Sequence, residues 1–386
     1  MRVIYLDNNA TTRVAPEVVE TMLPYFSDLY GNASSMHSFG GQLGKPLARA
    51  REQMAELIGA RPEELVYTSC GTESDATAVM AALQSQPEKR HLVTTKVEHP
   101  AIMALYQHLE TQGYDVTYLG VDEQGRMDLE ELAASLRRDT AIVSIMFANN
   151  ETGTLFPIRK IADIVKERGI LLHTDAVQAV GKEAIDLSEL PVDYLSLSGH
   201  KLHAPKGIGV LYVRRGARFR PFLRGGHQER NRRAGTENVP YIIGLGKAAE
   251  MAREHMDADN SLMRSLRDRL EQGLTESIHD TRINGDVEHR LPGTTNISFQ
   301  FVEGEAILLH MDREGICASS GSACTSGSLD PSHVLRAMNV PFSFAHGSIR
   351  FSLSRYTTEQ DIDDTLRIMP PIIAGLRAIS PFRKES

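Results

Sequence analysis

The chain has 386 residues, 41% of them hydrophobic and 24% charged, which is an ordinary composition for a soluble globular protein. A formal net charge of −8 argues against general nucleic-acid binding, and three cysteines are too few for a disulfide framework. The longest apolar runs, such as AIVSIMFA at 141–148, are too short to span a bilayer, and the start MRVIYLDNNATT lacks the apolar segment of a secretory signal. We therefore expect a cytoplasmic protein of roughly two domains, with no membrane or nucleic-acid partner.

Short apolar runs alternate with helical patterns through the first part of the chain. The predicted strands are LVYTS (65–69), HLVTTKVEH (91–99), DVTYLGV (115–121), AIVSIMFAN (141–149), ILLHTDAV (170–177), DYLSLS (193–198) and GIGVLYV (207–213). Helical patterns fill the first four gaps between them; Asp128 is a plausible cap for one, and Pro157 and Gly169 bracket another. This rhythm is typical of an α/β domain with a largely parallel sheet.

The pattern changes near residues 250–260, where we place a domain boundary. A long charged helix pattern at 261–278 leads to the strand patterns TTNISFQF and IRFSLS, which indicate a smaller α+β domain. The run GLGKAA at 244–249 matches a dinucleotide fingerprint on paper. It follows Asn238 and Pro240, a helix-start signal, so we predict that it lies within a helix and binds no nucleotide.

Polar residues follow five of the predicted strands at the point where each strand ends. They are Cys70-Gly71-Thr72-Glu73, His99, Asn149-Asn150, Asp175 with Gln178, and Gly199-His200-Lys201. Each alone is explained by ordinary capping and turn chemistry. Because ligands bind beyond the carboxyl ends of parallel strands, the five together indicate one site.

The residue types at these strand ends suit a phosphorylated cofactor. Gly71 and Thr72 precede a helix, whose first N–H groups can hold an anion, and Ser198 and His200 could add donors. The segment lacks the lysine of a Walker A loop, so it suits one phosphate rather than a triphosphate.

A lysine and an acid near a phosphate pocket suggest pyridoxal phosphate. Lys201 fits the lysine that forms the Schiff base, and Asp175 fits the acid opposite the pyridine nitrogen. Lys206 competes with Lys201, and spacing alone does not exclude it. His99 could stack on the ring and act as acid or base, or be a satisfied strand-end histidine.

Cys324 lies in SSGSACTSGS (319–328), which holds no side chain large enough to fill a core. A tract of glycine and serine predicts a mobile, accessible thiol, unlike a buried structural cysteine. We expect Cys70 to be packed and Cys317 to be structural. The three cysteines lack zinc-site spacing, so we expect no permanent metal.

Ten segments together resemble the cysteine desulfurases, which are class V, fold-type-I pyridoxal-phosphate enzymes. In chain order they are YLDNNATT, GNASSMHSFG, TSCGTESDA, VEHPA, ANNETGTLFPI, HTDAVQAVGK, SLSGHKLHAPKGIGVLYVRRG, RGGHQERNRRAGTEN, SSGSACTSGS and IRFSLSRYTTE. LHAPKG, RGGHQER and the short cysteine loop resemble the NifS type most, which supplies sulfur for nitrogenase clusters; the IscS type is very similar. The resemblance implies a large domain at 15–255 with a mainly parallel seven-stranded sheet, and a small domain at 1–14 and 256–386.

The resemblance also implies a role for individual residues. Lys201 is the Schiff-base lysine, Asp175 faces the pyridine nitrogen, and His99 stacks on the ring. The other cofactor-binding positions are Gly71, Thr72, Ser198 and His200 at the phosphate, Gln178 and Asn150 at the ring hydroxyl, and Thr236, which reaches the phosphate of the partner subunit.

The remaining implied positions concern the substrate, L-cysteine. Asn32 and Arg350 hold its carboxylate, and Cys324 takes its sulfur as a persulfide while L-alanine is released. Asn-Ala-Ser at 32–34 departs from the usual Asn-Pro-Ser, with a small expected effect. The resemblance implies a homodimer and an iron–sulfur scaffold protein as sulfur acceptor, with which Cys324 could transiently share a metal.

Three activities remain as alternatives to desulfuration. A class V aminotransferase and a selenocysteine lyase would use the same cofactor, but an aminotransferase has no need of the Cys324 thiol. A non-enzymatic sulfur carrier would have no need of Lys201, Asp175 and His99.

Overall fold

The computed structural model describes residues 2–320 and 331–381. Cys324, the predicted nucleophile, lies outside the described residues. The strands are β1 (Ile4–Tyr5), β2 (Leu65–Thr68), β3 (His91–Thr95), β4 (Asp115–Leu119), β5 (Thr140–Ser144), β6 (Leu171–Asp175), β7 (Tyr194–Ser198), β8 (Gly209–Val213), β9 (Thr281–Asn284), β10 (Thr294–Phe299), β11 (Ile316–Cys317) and β12 (Ser348–Ser352).

The α-helices surround these strands and connect most of them. They are α1 (Pro16–Met22), α2 (Pro24–Ser27), α3 (Ser38–Gly41), α4 (Gly44–Ile58), α5 (Gly71–Ser85), α6 (Pro100–Thr111), α7 (Leu129–Ser135), α8 (Ile158–Glu167), α9 (Gln228–Asn231), α10 (Val239–Ser277), α11 (Gly304–Arg313), α12 (His333–Ala337), α13 (Phe342–Ala345) and α14 (Glu359–Ile379). Single 3₁₀ turns occur at Pro62–Glu64 and Gly199–Lys201.

The seven strands predicted in the first part of the chain form one sheet in the order β2-β8-β7-β6-β5-β3-β4. The pairs from β4 to β7 are parallel, and β8 runs antiparallel to both β2 and β7. Every residue of β3, β5, β6, β7 and β8 is buried, as expected for strands with both faces covered. The predicted mainly parallel α/β sheet is confirmed.

The later part of the chain builds smaller sheets. Strand β10 pairs antiparallel with β9 and β12, and β1 pairs parallel with β11. A separate apolar core lies here, formed by residues of β1, β10, β12, α11, α14 and the second half of α10. The division into domains at 15–255, and at 1–14 with 256–386, stays a prediction.

The region expected to hold the boundary is continuous helix. Helix α10 runs through residues 250–260 without a break, so the two helix signals near 238 and 261 belong to one element. Its first half packs against α1 and α4, while Met263, Leu266 and Leu270 of its second half enter the other core. The helix therefore contributes to both cores, and a change of sequence texture does not mark a linker here.

The glycines of the GLGKAA run lie inside α10, as predicted, where they permit close helix packing. A Cβ atom at Gly246 would come within 2.5 Å of Ala50 Cα in α4, and one at Gly244 within 2.5 Å of Met22 Sδ in α1. Because no real Cβ tolerates such contacts, these positions are explained by packing, without a nucleotide.

Gly246→Ala is expected to destabilise the protein by about 1–3 kcal/mol, because the new methyl group overpacks the α4–α10 contact. Gly375→Ala is the matched control: Gly375 also lies inside a helix, but a Cβ there meets nothing within 4 Å. The control should gain about 0.5–1 kcal/mol from helix propensity. Urea unfolding of both variants measures the difference, and equal stabilities would contradict the packing explanation.

No helix within residues 2–320 or 331–381 is long and apolar enough to cross a membrane. Within the same ranges, no cluster of three or more His, Cys, Asp and Glu side chains could hold a metal ion. Cys317 lies in β11, where burial raises the pKa of its thiol and the carboxylates of Asp312 and Asp7 raise it further. A thiol in these surroundings stays protonated at neutral pH.

Candidate active site

A cavity of about 510 Å³ opens at the carboxyl edge of the seven-stranded sheet. Most of the polar residues predicted there line it. The lining residues are Asp7, Asn9, Ala10, Cys70, Gly71, Thr72, Asp75, His99, Met146, Ala148, Asn150, Glu151, Asp175, Val177, Gln178, Ser198, His200, Lys201, Ser319, Ser320 and Arg350. The predicted positions 71, 72, 99, 150, 175, 178, 198, 200, 201 and 350 therefore come together in space.

One end of the cavity is formed by the start of α5 and the end of β7. Gly71 and Thr72 open the 15-residue helix α5, whose first N–H groups lack intrahelical partners. A Cβ at Gly71 would come within 2.8 Å of Val177 Cγ2, so glycine permits the close approach of α5 to the turn after β6. The Ser198 hydroxyl is buried and has no hydrogen-bond partner among the described residues. An unsatisfied hydroxyl beside a helix N-terminus suits an anionic group.

His200 adds a neutral ring to the same end. Its Nδ1 lies 3.2 Å from the Thr11 hydroxyl oxygen. Burial, together with the nearby cations Lys201 and Lys206, lowers the pKa of His200 to about 4. At neutral pH the ring is therefore uncharged and binds an anion by hydrogen bonding rather than by ionic attraction.

Lys201 occupies the 3₁₀ turn that follows β7. Its Nζ donates to the backbone carbonyls of Asn9 and Ala10, the latter at 2.7 Å. Lys206, the competing lysine, is exposed and is not among the residues that line the cavity. The geometry thus places only one of the two candidate amines at the described cavity wall.

Asp175 ends β6 and is buried at the cavity wall. Its Oδ1 accepts a hydrogen bond of 2.9 Å from the Val177 N–H. Burial raises the pKa of Asp175, while His99, this N–H and Lys201 favour the carboxylate. A cationic ring nitrogen would add to that attraction.

His99 caps α6 and faces the same cavity. Its Nδ1 accepts a hydrogen bond of 3.1 Å from the Ala101 N–H, so the proton of the neutral ring lies on Nε2. Burial lowers the pKa of His99; Asp175 raises it, and Lys201 and His333 lower it. The ring is therefore a neutral imidazole that could accept or return a proton.

Two buried groups near Asp175 were missed in the sequence. Asp75 of α5 lines the cavity, and its Oδ1 has no hydrogen-bond partner among the described residues. Burial raises the pKa of Asp75 well above its usual value, and Asp175 raises it further. His173 lies 3.5 Å from that oxygen, and burial lowers its pKa to about 3. Burial therefore disfavours the charged form of both side chains. In the sequence, Asp75 is signalled only by the polar face of α5, and His173 only by its place two residues before Asp175.

Arg350 of β12 lies on the opposite side of the cavity. It donates to Asp7 Oδ1 at 2.8 Å and to the Asn150 carbonyl at 3.0 Å, and its Nε has no partner among the described residues. Its backbone pairs with Ser319, so the beginning of the serine-rich tract is attached to the strand that carries Arg350.

The chain also returns to the cavity after the serine-rich tract. Ser332 caps α12 and donates to the buried carboxylate of Glu151, which lines the cavity. His333 Nε2 lies 2.9 Å from the Glu98 carbonyl. Ser320 before the tract lines the cavity as well. Both flanks of the segment that contains position 324 are therefore fixed at this site.

Two predicted positions do not join the cavity as the described residues define it. Asn32 is exposed, and its Oδ1 accepts from the Ser34 N–H at 2.9 Å. Thr236 is exposed near the start of α10. Within one chain, neither side chain lines the site.

The sequence pattern of the aminotransferase class-V family matches residues 4–365, so the chain belongs to that family. Within this family it is similar to cysteine desulfurases. It is 63% identical to a cysteine desulfurase of Trichormus azollae, over 100% of this chain and 96% of the relative. It is 58% identical to the cysteine desulfurase NifS of Azotobacter vinelandii, over 98% of this chain and 94% of the relative.

Solved structures agree with these relatives. A NifS-like protein shares 39% identity and a TM-score of 0.92, covering 97% of this chain and 100% of that chain. The structure titled SspA in complex with cysteine shares 34% identity and a TM-score of 0.81, covering 92% and 99%. The resemblance to cysteine desulfurases and the expected fold type are confirmed.

Proposed function

We propose that this protein is a cysteine desulfurase that uses pyridoxal 5'-phosphate. It removes sulfur from L-cysteine, releases L-alanine and leaves a persulfide on Cys324. One observation supports this most: a single cavity brings together the amine of Lys201, the buried carboxyl of Asp175, the neutral ring of His99 and the unsatisfied hydroxyl of Ser198.

The cavity residues fit the cofactor at both of its polar ends. The residues that would hold the phosphate are Gly71, Thr72, Ser198 and His200. At the other end, Asp175 would hold a proton at the pyridine nitrogen, and Gln178 and Asn150 would face the ring hydroxyl. When bound, the cofactor supplies an electron sink for negative charge that develops on the substrate.

The protein's own groups would bind the substrate and move its protons. Arg350 and Asn32 would hold the substrate carboxylate. The Nε of Arg350 is buried and has no hydrogen-bond partner among the described residues, so it could donate to that carboxylate. Lys201 would carry the cofactor and move the proton at the substrate Cα. His99, which is neutral, would exchange a proton through Nε2.

Cys324 would receive the sulfur. It follows Ser320, which lines the cavity, by four residues, and an extended chain spans about 3.5 Å per residue. Four residues therefore span at most about 14 Å from the Cα atom of Ser320. This reach supports direct attack by the Cys324 thiolate on the substrate sulfur.

A homodimer is part of the proposal. Thr236 is exposed and lies apart from the described cavity, so a second copy of the chain would supply it to the phosphate. The sulfur acceptor would be an iron–sulfur scaffold protein in the cytoplasm. The name NifS of one relative favours nitrogenase cluster assembly.

Incubation with L-cysteine and a thiol reductant is expected to release sulfide and alanine in equal amounts. Cys324→Ser should keep the visible absorbance of the bound cofactor and lose sulfide release by at least about a hundredfold, because the nucleophile is gone. Cys317→Ser is the control, since that thiol stays protonated and is not a described cavity residue. Undiminished sulfide release from Cys324→Ser would refute the assigned nucleophile, and amino-group transfer without sulfide would indicate an aminotransferase.

A further inference from the structure

Lys182 follows Gln178 by four residues, in the turn after β6. Gly181, between them, has a φ of +78°, and a Cβ there would come within 2.1 Å of Leu202 Cδ1. Only glycine is compatible with both restrictions. The turn therefore folds the Lys182 side chain back over Gln178, at the side of the cavity expected to face the cofactor's ring hydroxyl.

The hydrogen bonds around Gln178 fix which way its amide points. Lys182 Nζ donates to the Gln178 carbonyl at 3.1 Å and to its side-chain Oε1 at 3.4 Å. Gln178 Nε2 donates to the Asn9 carbonyl at 3.0 Å, which also accepts from Lys201. Because the protonated amine of Lys182 can only donate, Oε1 faces it and the amide nitrogen of Gln178 is directed away from Lys182.

We propose that Lys182 is a positioning residue that keeps the amide nitrogen of Gln178 toward the cavity, so that Gln178 donates to the ring hydroxyl of the cofactor. This inference rests on the proposed function. An amide nitrogen has two N–H groups, and one of them is used by Asn9. Without Lys182, a rotated amide would present its acceptor oxygen to the ring hydroxyl instead.

A second cavity of about 40 Å³ lies on the far side of Lys201, with room for a few water molecules. The titratable and charged groups that line it are Lys182, Lys201, His203, Asp259 and Arg355. Burial, together with the cations Lys201 and Arg350, lowers the pKa of Lys182 to about 7. A lysine amine has N–H groups in both protonation states, so its hydrogen bond to Gln178 persists across neutral pH.

Loss of the donor has a spectroscopic consequence. A hydrogen bond donated to the ring oxygen stabilises its anionic form and weakens its hold on the proton of the neighbouring nitrogen that links the cofactor to Lys201. Lys182→Met should therefore raise the pKa of that linkage. We expect the pH midpoint of the visible absorbance change to rise by about one unit.

The experiment is a pH titration of the visible absorbance of cofactor-loaded protein, with cofactor retention measured by dialysis. Lys182→Gln keeps a donor for Gln178 Oε1, so its midpoint should stay near that of the unmodified protein. Lys182→Ala is a second deletion in case Lys182→Met fails to fold. Lys160→Met, which removes an exposed lysine of α8, is the control.

A Gln178→Ala background separates positioning from a direct effect of charge. There, Lys182→Met should cause no further shift, because Lys182 acts through the amide. An unchanged midpoint in Lys182→Met and Lys182→Ala, an equal shift in Lys182→Gln, or a persisting shift in the Gln178→Ala background would each overturn the inference. Failure of the unmodified protein to take up the cofactor would instead contradict the proposed function.

Discussion

The Lys201→Ala variant is expected to lose at least about a thousandfold of its alanine and sulfide formation from L-cysteine. The change removes both the amine that would carry the cofactor and the group that would move the substrate proton, and general acid–base catalysis alone contributes about 10²–10⁴-fold. Initial rates of alanine formation under excess cofactor measure the loss. Borohydride reduction of the unmodified protein should place the cofactor's mass on the peptide containing Lys201.

Lys206→Ala is the matched control, because Lys206 is five residues away, exposed, and outside the described cavity lining. It should retain nearly full activity and visible absorbance. A reduced adduct on Lys206, or an active Lys201→Ala variant, would show that the assignment is wrong.

The position of the site at the edge of the sheet was predictable, because recognising polar residues at strand ends needs only short-range sequence information. Each of β2, β3, β5, β6 and β7 is a buried strand, and the polar residues predicted for the site end it or follow it within six residues. Parallel strands bring those ends to one edge, where the structure places His99, Asp175 and Lys201 at the same cavity. The choice between Lys201 and Lys206 needed the turn geometry, which spacing does not contain.

Buried titratable groups were not predictable in the same way. Asp75, Lys182 and Glu98 are residue types that usually lie on the protein surface, and only long-range packing buries them here. Each lies one to four residues from a predicted site residue, which is the local signal available. Helix α10 was predicted as two helices for a related reason. Its two halves pack in different cores, so their amino-acid compositions differ.

Positions 32 and 236 show another limit. The family resemblance predicts that both serve the site, yet one chain leaves Asn32 and Thr236 exposed. A site completed by a second copy has no periodic or local signature in the sequence of one chain.

Glu98, directly before His99, is expected to make the protein less stable as the pH rises. Its Oε1 accepts from the Thr95 hydroxyl at 2.7 Å and from the Met146 N–H at 3.1 Å. Its Oε2 is buried without a partner among the described residues. Burial raises the pKa of Glu98 to about 8, despite these two hydrogen bonds. The folded protein therefore favours the neutral acid.

The sign follows from proton binding. Between pH 4.5, the usual pKa of the unfolded side chain, and about pH 8, the folded state holds a proton that the unfolded state has lost. Stability therefore falls as the pH rises through this window. The full difference corresponds to about 3–5 kcal/mol of unfolding free energy.

Glu98→Gln should remove this dependence, because the amide keeps Oε1 as an acceptor and resembles the protonated acid. At pH 5 the variant and the unmodified protein should be equally stable within about 1 kcal/mol, and at pH 8.5 the variant should be more stable by about 3–5 kcal/mol. Urea unfolding at both pH values, with equal cofactor loading, measures the difference. Glu20→Gln, at an exposed position of α1, controls for the lost charge and should show no such crossover. A Glu98→Gln variant that tracks the unmodified protein at both pH values would mean that the carboxyl ionises in the folded state at no cost.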